Sequence, residues 1–220
     1  MSLVLLLGGA RSGKSRLAVE LAAAHAGGVT PVSFVATGEA RDDEMAARIK
    51  DHRSQRPAGW CTVEERVFLA GALSACDPNA TVVLDCLTLW VSNILEAAQN
   101  GQSTENCPVD HAVGAQVVRS EAGGKCWADD DVISAATATA ALAAGRPGLV
   151  VVVSNEVGSG IVPAAPLTRR YRDLLGRVNA AFAGQAAAAY LVVAGRLLQL
   201  LSPAEAVAAF ASGTSPKVVP

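Results

Sequence analysis

A chain of 220 residues, 51% of them apolar, is long enough to bury a full core as one domain, or as two small ones at most. The formal net charge of −2 gives no global basic field, which argues against nucleic acid or a membrane surface as a partner. Five cysteines (61, 76, 86, 107 and 126) show no paired C-x-x-C spacing, and an odd count favours reduced thiols in the cytoplasm.

The apolar run 3–7 reads as a strand, being too short and too poor in basic flanks for a signal segment. A helix is expected over 14–26, stopped by Gly27-Gly28, then a short strand over 32–36 closed by Thr37-Gly38. Asp42-Asp43-Glu44 opens a helix running to about Gln55, since acidic residues suit a first turn and Pro57 forbids continuation. Residues 65–76 read as another helix, 81–84 as a buried strand ending at Asp85, and 87–99 as a helix. Residues 100–131, with scattered glycines and Pro108, read as an irregular excursion, and Asp129-Asp130-Asp131 as the cap of a helix over 132–144. A strand over 149–153, a long helix over 167–187 and strands over 190–193 and 197–201 follow. Residues 180–195 are apolar but broken by Gln185, which suits helix then strand and not a membrane span. Ser202-Pro203-Ala204-Glu205 is a capping box for a last short helix, with a frayed tail from Ser212.

Strands alternate with helices, and the strands are continuous apolar runs. That pattern predicts an α/β three-layer sandwich around a mostly parallel sheet covered on both faces. The expected organisation is one catalytic domain over 1–201, with 202–220 as a short helix and tail. Ligand sites in such sheets lie beyond the carboxyl ends of the strands.

One motif sits at such an end. Gly8-Gly9-Ala10-Arg11-Ser12-Gly13-Lys14-Ser15 fits G-x-x-x-x-G-K-[ST] between the first strand and the first helix. Backbone N–H groups of such a loop cradle phosphate oxygens, Lys14 adds a full charge, and Ser15 can place its hydroxyl on a phosphate-bound Mg²⁺. The chain is therefore expected to bind a nucleoside triphosphate in a P-loop NTPase-like fold. Asp85 ends a strand where a P-loop protein puts its second Mg²⁺ anchor, and Glu156 competes for that role.

Arg48, His52 and Arg56 are spaced by four and project from one helix face, with Arg53 beside them. Such a stripe is either a solvated basic face or a phosphate-facing surface holding a histidine nucleophile. His25 reads as structural, and His111 has no evident partner. Arg169, Arg170, Arg172 and Arg177 in the long helix either clamp a second substrate or face solvent. A nucleotide switch is disfavoured because N-K-x-D is absent, whereas another P-loop kinase would need no His52.

The P-loop octapeptide resembles one family when taken together with Asp42 to Ile49, His52, Arg56-Pro57, Asn155 to Gly158, Gly160 to Pro163 and Gly176 to Asn179. It is the bifunctional adenosylcobinamide kinase/adenosylcobinamide-phosphate guanylyltransferase family of cobalamin biosynthesis, and the similarity spans roughly residues 1–201. The resemblance implies two reactions. ATP or GTP phosphorylates the aminopropanol hydroxyl of adenosylcobinamide. GTP then guanylylates a histidine, and the substrate phosphate takes the GMP to give adenosylcobinamide-GDP. That histidine corresponds to His52. The resemblance further implies nucleotide contacts from Ala36, Thr37 and Gly38, from His52, Arg53, Ser54 and Gln55, and from Glu64 and Asp85. It also implies a homotrimer.

Overall fold

The computed structural model describes residues 2–40, 42–54, 56–99 and 127–213. Among these residues seven strands, β1 (Leu3–Gly8), β2 (Val32–Ala36), β3 (Cys61–Glu64), β4 (Thr81–Asp85), β5 (Val150–Val153), β6 (Ala188–Val193) and β7 (Arg196–Leu200), form one sheet. Their order is β3-β2-β4-β5-β1-β6-β7, parallel throughout except for β7, which returns antiparallel on β6. The helices are α1 (Lys14–Ala26), α2 (Asp43–Ser54), α3 (Leu69–Ala75), α4 (Leu87–Gln99), α5 (Asp129–Ala144), α6 (Pro166–Gln185) and α7 (Pro203–Ala211).

Alternate residues of each central strand serve opposite faces, and both faces are buried. Leu3, Leu5, Val82, Leu84, Val150 and Val152 join a core completed by α3 to α6. Val4, Leu6, Val83, Val151 and Val153 join a second core with Ala18, Ala22 and Ala26 of α1. This is why the strands read as unbroken apolar runs, and it makes the expected three layers. The small alanine side chains let α1 lie close on the sheet.

Two elements depart from expectation. Strand β3 pairs with β2 along the sheet edge but is short and mostly exposed, so it carries no apolar run to announce it. Residues 65–68, expected to begin a helix, are held otherwise. The Glu65 carboxylate accepts the N–H groups of Val67 and Phe68 at 2.7 and 2.8 Å. The carbonyls of Arg66 and Val67 accept from the side chains of Asn93 and Trp90, so they are lost to any helix ladder, and α3 starts at Leu69. Asp129, Asp130 and Asp131 lie inside the first turn of α5, which starts three residues earlier than expected, and of the three Asp131 caps it, its carboxylate accepting the Ala128 N–H at 2.9 Å. The capping box of α7 forms as expected, with Ser202 and Glu205 exchanging bonds. The excursion at 100–126, with His111, Cys107 and Cys126, and the tail at 214–220 lie outside the described residues. Among the described residues no helix is long and apolar enough to cross a membrane.

Candidate active site

Because β1 to β6 run parallel, Gly8, Ala36, Glu64, Asp85 and Ser154 all fall at one edge of the sheet. A cavity of about 780 Å³ opens there between the loop after β1, the ends of β2, β4 and β5, and helix α2.

The loop after β1 is shaped by its glycines. Gly8 has φ +152°, and a Cβ there would meet the Val192 carbonyl oxygen at 2.3 Å. Gly13, at φ +98°, sits at the N-cap of α1, and Arg11 also has positive φ. Lys14 is buried and folds back over the loop, its Nζ donating to the Gly9 carbonyl at 2.6 Å and to Ser12 Oγ at 3.2 Å. Burial lowers its pKa, opposed by the nearby Cys86 and Asp85 groups. A cation bent across an open ring of N–H groups can receive phosphate oxygens without rebuilding the loop.

The end of β4 is fixed to the end of β2. Thr37 Oγ1 donates to the Cys86 carbonyl and accepts the Cys86 N–H, both at 2.8 Å, while the Thr37 N–H donates to the Asp85 carbonyl at 3.1 Å. Asn93 of α4 donates to the Thr37 carbonyl at 2.9 Å. These bonds fix the backbone that carries the Asp85 side chain. Burial pushes its pKa up, opposed by a hydrogen bond with Ser15 and by the charges of His52, Arg56 and Lys14. His52 Nδ1 stands 3.9 Å from Asp85 Oδ2. A hydroxyl and a carboxylate already bonded across the cavity are the hard oxygen donors that suit Mg²⁺.

Helix α2 supplies the opposite wall. Met45, Ile49 and His52 recur at helical spacing and all face the cavity. Ile49 and Leu89 lie close to Gly38. Arg53 pairs with Glu64 at the rim. Arg56, just past the helix, lies over the Phe34 ring.

Of the sequence-predicted residues, Ala10, Arg11, Ser12, Gly13, Lys14, Ser15, Ala36, Gly38, His52, Arg53, Glu64 and Asp85 line this one cavity. Gly8 and Gly9 are not lining residues: the Gly8 carbonyl accepts the Glu156 N–H at 3.2 Å and the Gly9 carbonyl accepts from Lys14. The Thr37 side chain is buried and committed to the β4 end, and Ser54 is exposed with its Oγ on the Asp51 carbonyl. Gln55 and the Arg48 side chain lie outside the described residues. Glu156 is exposed, its carboxylate accepts the Gly158 N–H at 2.6 Å, and it is not part of the cavity wall.

The arginines of α6 face elsewhere. Arg170 and Arg177 pair with Asp129 and Asp130 of α5, Arg169 donates to the carbonyls of Pro163 and Ala164, and Arg172 pairs with Asp173. Arg170 and Arg177 thus tie α6 to α5. Asn179 explains the end of that motif: it is buried, accepts from Ser154 Oγ at 2.7 Å and donates to the Asn155 carbonyl at 3.0 Å. Asn155, whose N–H donates to Thr88 Oγ1, is thereby held at the cavity wall. His25 is structural, within 2.9 Å of Thr81 Oγ1. Sequence reasoning missed Phe34, Cys86, Thr88 and Leu89 as wall residues. Only the position of the last three directly after Asp85 could have signalled them.

Comparison with known proteins agrees with this architecture. Residues 4–200 match the family described as cobinamide kinase / cobinamide phosphate guanyltransferase. The chain is 39% identical over 194 residues to the bifunctional adenosylcobalamin biosynthesis protein CobU of Escherichia coli, covering 88% of this chain and 96% of that protein. It is 38% identical over 192 residues to the bifunctional adenosylcobalamin biosynthesis protein CobP of Pseudomonas aeruginosa, covering 87% and 92%. A CobU of Salmonella typhimurium matches at 38% over 194 residues. With a P-loop, a parallel sheet and matches of this length, the chain belongs to the cobinamide kinase / cobinamide phosphate guanyltransferase family.

Proposed function

We propose that this single cavity carries two successive phosphorus-transfer reactions, with His52 as the covalent relay in the second. The observation that carries the reading is the convergence of Lys14, Ser15 and His52 on the Asp85 carboxylate. A histidine beside a P-loop gives a triphosphate two fates in one place. In the kinase reaction the aminopropanol hydroxyl of adenosylcobinamide attacks the γ-phosphorus of ATP or GTP, and a nucleoside diphosphate leaves. This step needs positioning and charge neutralisation by the loop, not a protein nucleophile.

In the guanylyl reaction His52 attacks the α-phosphorus of GTP. Its Nδ1 is the nitrogen turned toward Asp85, which leaves Nε2 as the nucleophile. The Nε2 lone pair forms the N–P bond and pyrophosphate departs with the electrons of the broken P–O bond. An oxygen of adenosylcobinamide phosphate then displaces the histidine, giving adenosylcobinamide-GDP. The residues from Gly8 to Ser15 hold the phosphates in both reactions. Ala36, Thr37, Gly38, Arg53, Ser54, Gln55 and Glu64 are assigned to the nucleotide on the strength of the family resemblance. A Mg²⁺ carried in with the triphosphate would be held by Ser15 and Asp85 and would neutralise charge on its phosphates.

We also propose that residues 1–201 act as one catalytic domain and that the protein is a cytoplasmic homotrimer. Self-association is supported by the apolar side chains exposed on β6, β7 and α7, which include Val193, Leu197, Val207 at 68% and Phe210 at 77% exposure. Sedimentation of the purified protein tests the trimer.

The experiment for the relay is incubation with GTP and Mg²⁺ alone. A GMP adduct should form on His52, labile to acid and stable to base, because a P–N bond breaks when its nitrogen is protonated. Mapping of the adduct to another residue, or no adduct, overturns the assignment.

A further inference from the structure

We propose that Arg56 is a catalytic residue of guanylyl transfer, its guanidinium held over the Phe34 ring so that it neutralises the non-bridging oxygens of the α-phosphate as that group passes to and from His52. The proposal rests on the reading of His52 as the relay.

Four observations carry it. First, the guanidinium carbon lies 3.5 Å from the Phe34 ring centroid, and Phe34 itself is only 2% exposed. A buried aromatic face is a rigid platform, so the charge is held over one spot before any ligand arrives. Second, Arg56 is under-used by the protein. Its Nη1 donates to Thr62 Oγ1 at 3.3 Å, but its Nε is buried without a hydrogen-bond partner, and it makes no ion pair among the described residues. Its neighbour Arg53, by contrast, is paired with Glu64. Burying an unsatisfied N–H costs about 1–3 kcal/mol, so a residue kept only to cover Phe34 would do better as an aliphatic chain. Third, Arg56 lines the same cavity as His52 and is close enough to Asp85 to stabilise its charge, as His52 and Lys14 are.

Fourth, the strand order separates the two strong cations. Lys14 follows β1 and its ammonium is within electrostatic reach of Asp85 at the end of β4, whereas Arg56 lies over β2 on the other side of β4. Lys14 therefore serves the phosphates held by the loop. Arg56 serves a phosphate group farther out, and in a loop-held triphosphate that is the α-phosphate. In the forward step the N–P bond forms and the bond to pyrophosphate breaks. In the return step the acceptor oxygen bonds to phosphorus, and Nε2 recovers its electron pair. Neither step makes or breaks a bond to hydrogen, so no proton needs to move. The non-bridging oxygens carry negative charge in both transition states, and one fixed guanidinium serves both.

The test uses the full chain and follows three rates: adduct formation from GTP, GMP transfer from the isolated adduct to the phosphorylated substrate, and kinase turnover. Arg56→Met, which still covers Phe34, should slow both guanylyl steps by about 100-fold and leave kinase turnover within about threefold. Arg56→Lys should recover little, because an ammonium is a point charge and not a planar guanidinium. Added guanidinium ion should restore adduct formation in Arg56→Ala. Equal losses in kinase and guanylyl rates for Arg56→Met would make Arg56 a general structural or triphosphate-binding residue and overturn the proposal. Unchanged guanylyl rates would make it a cover for Phe34, with the same consequence. An adduct on His52 in the unaltered protein, scored separately, distinguishes failure of the relay from failure of Arg56.

Discussion

His52 Nδ1 and Asp85 Oδ2 stand 3.9 Å apart, one on the wall formed by α2 and the other at the tip of β4. Asp85 also bonds Ser15 at the start of α1, so one carboxylate touches the loop that holds phosphates and the side chain proposed to attack them. An amide in its place would keep the shape and lose the charge. Asp85→Asn should lower guanylyl and kinase rates alike, by at least about tenfold, and raise the Mg²⁺ concentration needed for half-maximal rate. A normal Mg²⁺ dependence in the folded variant would show that Asp85 does not hold the ion.

Lys14→Ala should reduce both activities by orders of magnitude while the fold persists. Its Nζ is satisfied by the Gly9 carbonyl and Ser12 Oγ, and truncation removes the charge that answers the β- and γ-phosphates in either displacement. Kinase turnover near normal in a folded Lys14→Ala protein would contradict the P-loop assignment.

Gly148→Ala should destabilise the protein by about 2–4 kcal/mol without changing the turnover of folded molecules. A Cβ at 148 would meet the carbonyl oxygens of Ala80 at 2.3 Å and Asn79 at 2.8 Å, and these are backbone atoms that cannot swing away. The position lies outside the cavity wall. Urea denaturation beside kinase assays checks both halves of the statement.

The parts that were legible in sequence are those where local and global signals coincide. The P-loop is a contiguous octapeptide with strand and helix on its flanks, whereas the expected stripe of Arg48, His52 and Arg56 is cut short because α2 ends at Ser54, before Arg56. Strand β3 was not legible because an exposed edge strand needs no apolar alternation. Nor was the start of α3, which is decided by Asn93 and Trp90 reaching across from α4 to take its carbonyls. Phe34 looked like any core strand residue, and its second face, turned to Arg56, exists only once β2 and the end of α2 are brought together. The roles of Arg170 and Arg177 in α6 were left open by the sequence, since the aspartates that pair with them, Asp129 and Asp130, are distant in the chain and come beside them only in the fold.

Cys86 should make the fold sensitive to alkali. Burial, reinforced by the Asp85 charge, pushes its thiol from 9.0 up to about 11. The folded protein therefore keeps this proton at pH values where the unfolded chain has lost it, and stability falls as pH rises from 9 toward 11. Below 9 the thiol is protonated in both states and contributes no slope. Cys86→Ala should flatten stability against pH in that window. An unchanged slope would assign the alkaline loss to other groups, Tyr171 among them, which burial raises to about 12.

His52→Ala should abolish guanylyl transfer and retain most adenosylcobinamide phosphorylation. The γ-phosphoryl step needs a placed triphosphate and neutralised charge, which the P-loop, Mg²⁺ and surrounding cations supply. The GMP intermediate needs a nucleophile, and His52 is the histidine that lines the cavity among the described residues. Loss of the imidazole also opens the cavity wall beside Asp85, so KM for the triphosphate should rise modestly while kcat for the kinase step holds. Both products should be followed at saturating GTP. Equal large losses of phosphorylation and guanylylation would make His52 a binding or structural residue. Retention of both would mean that the nucleophile lies elsewhere in the chain.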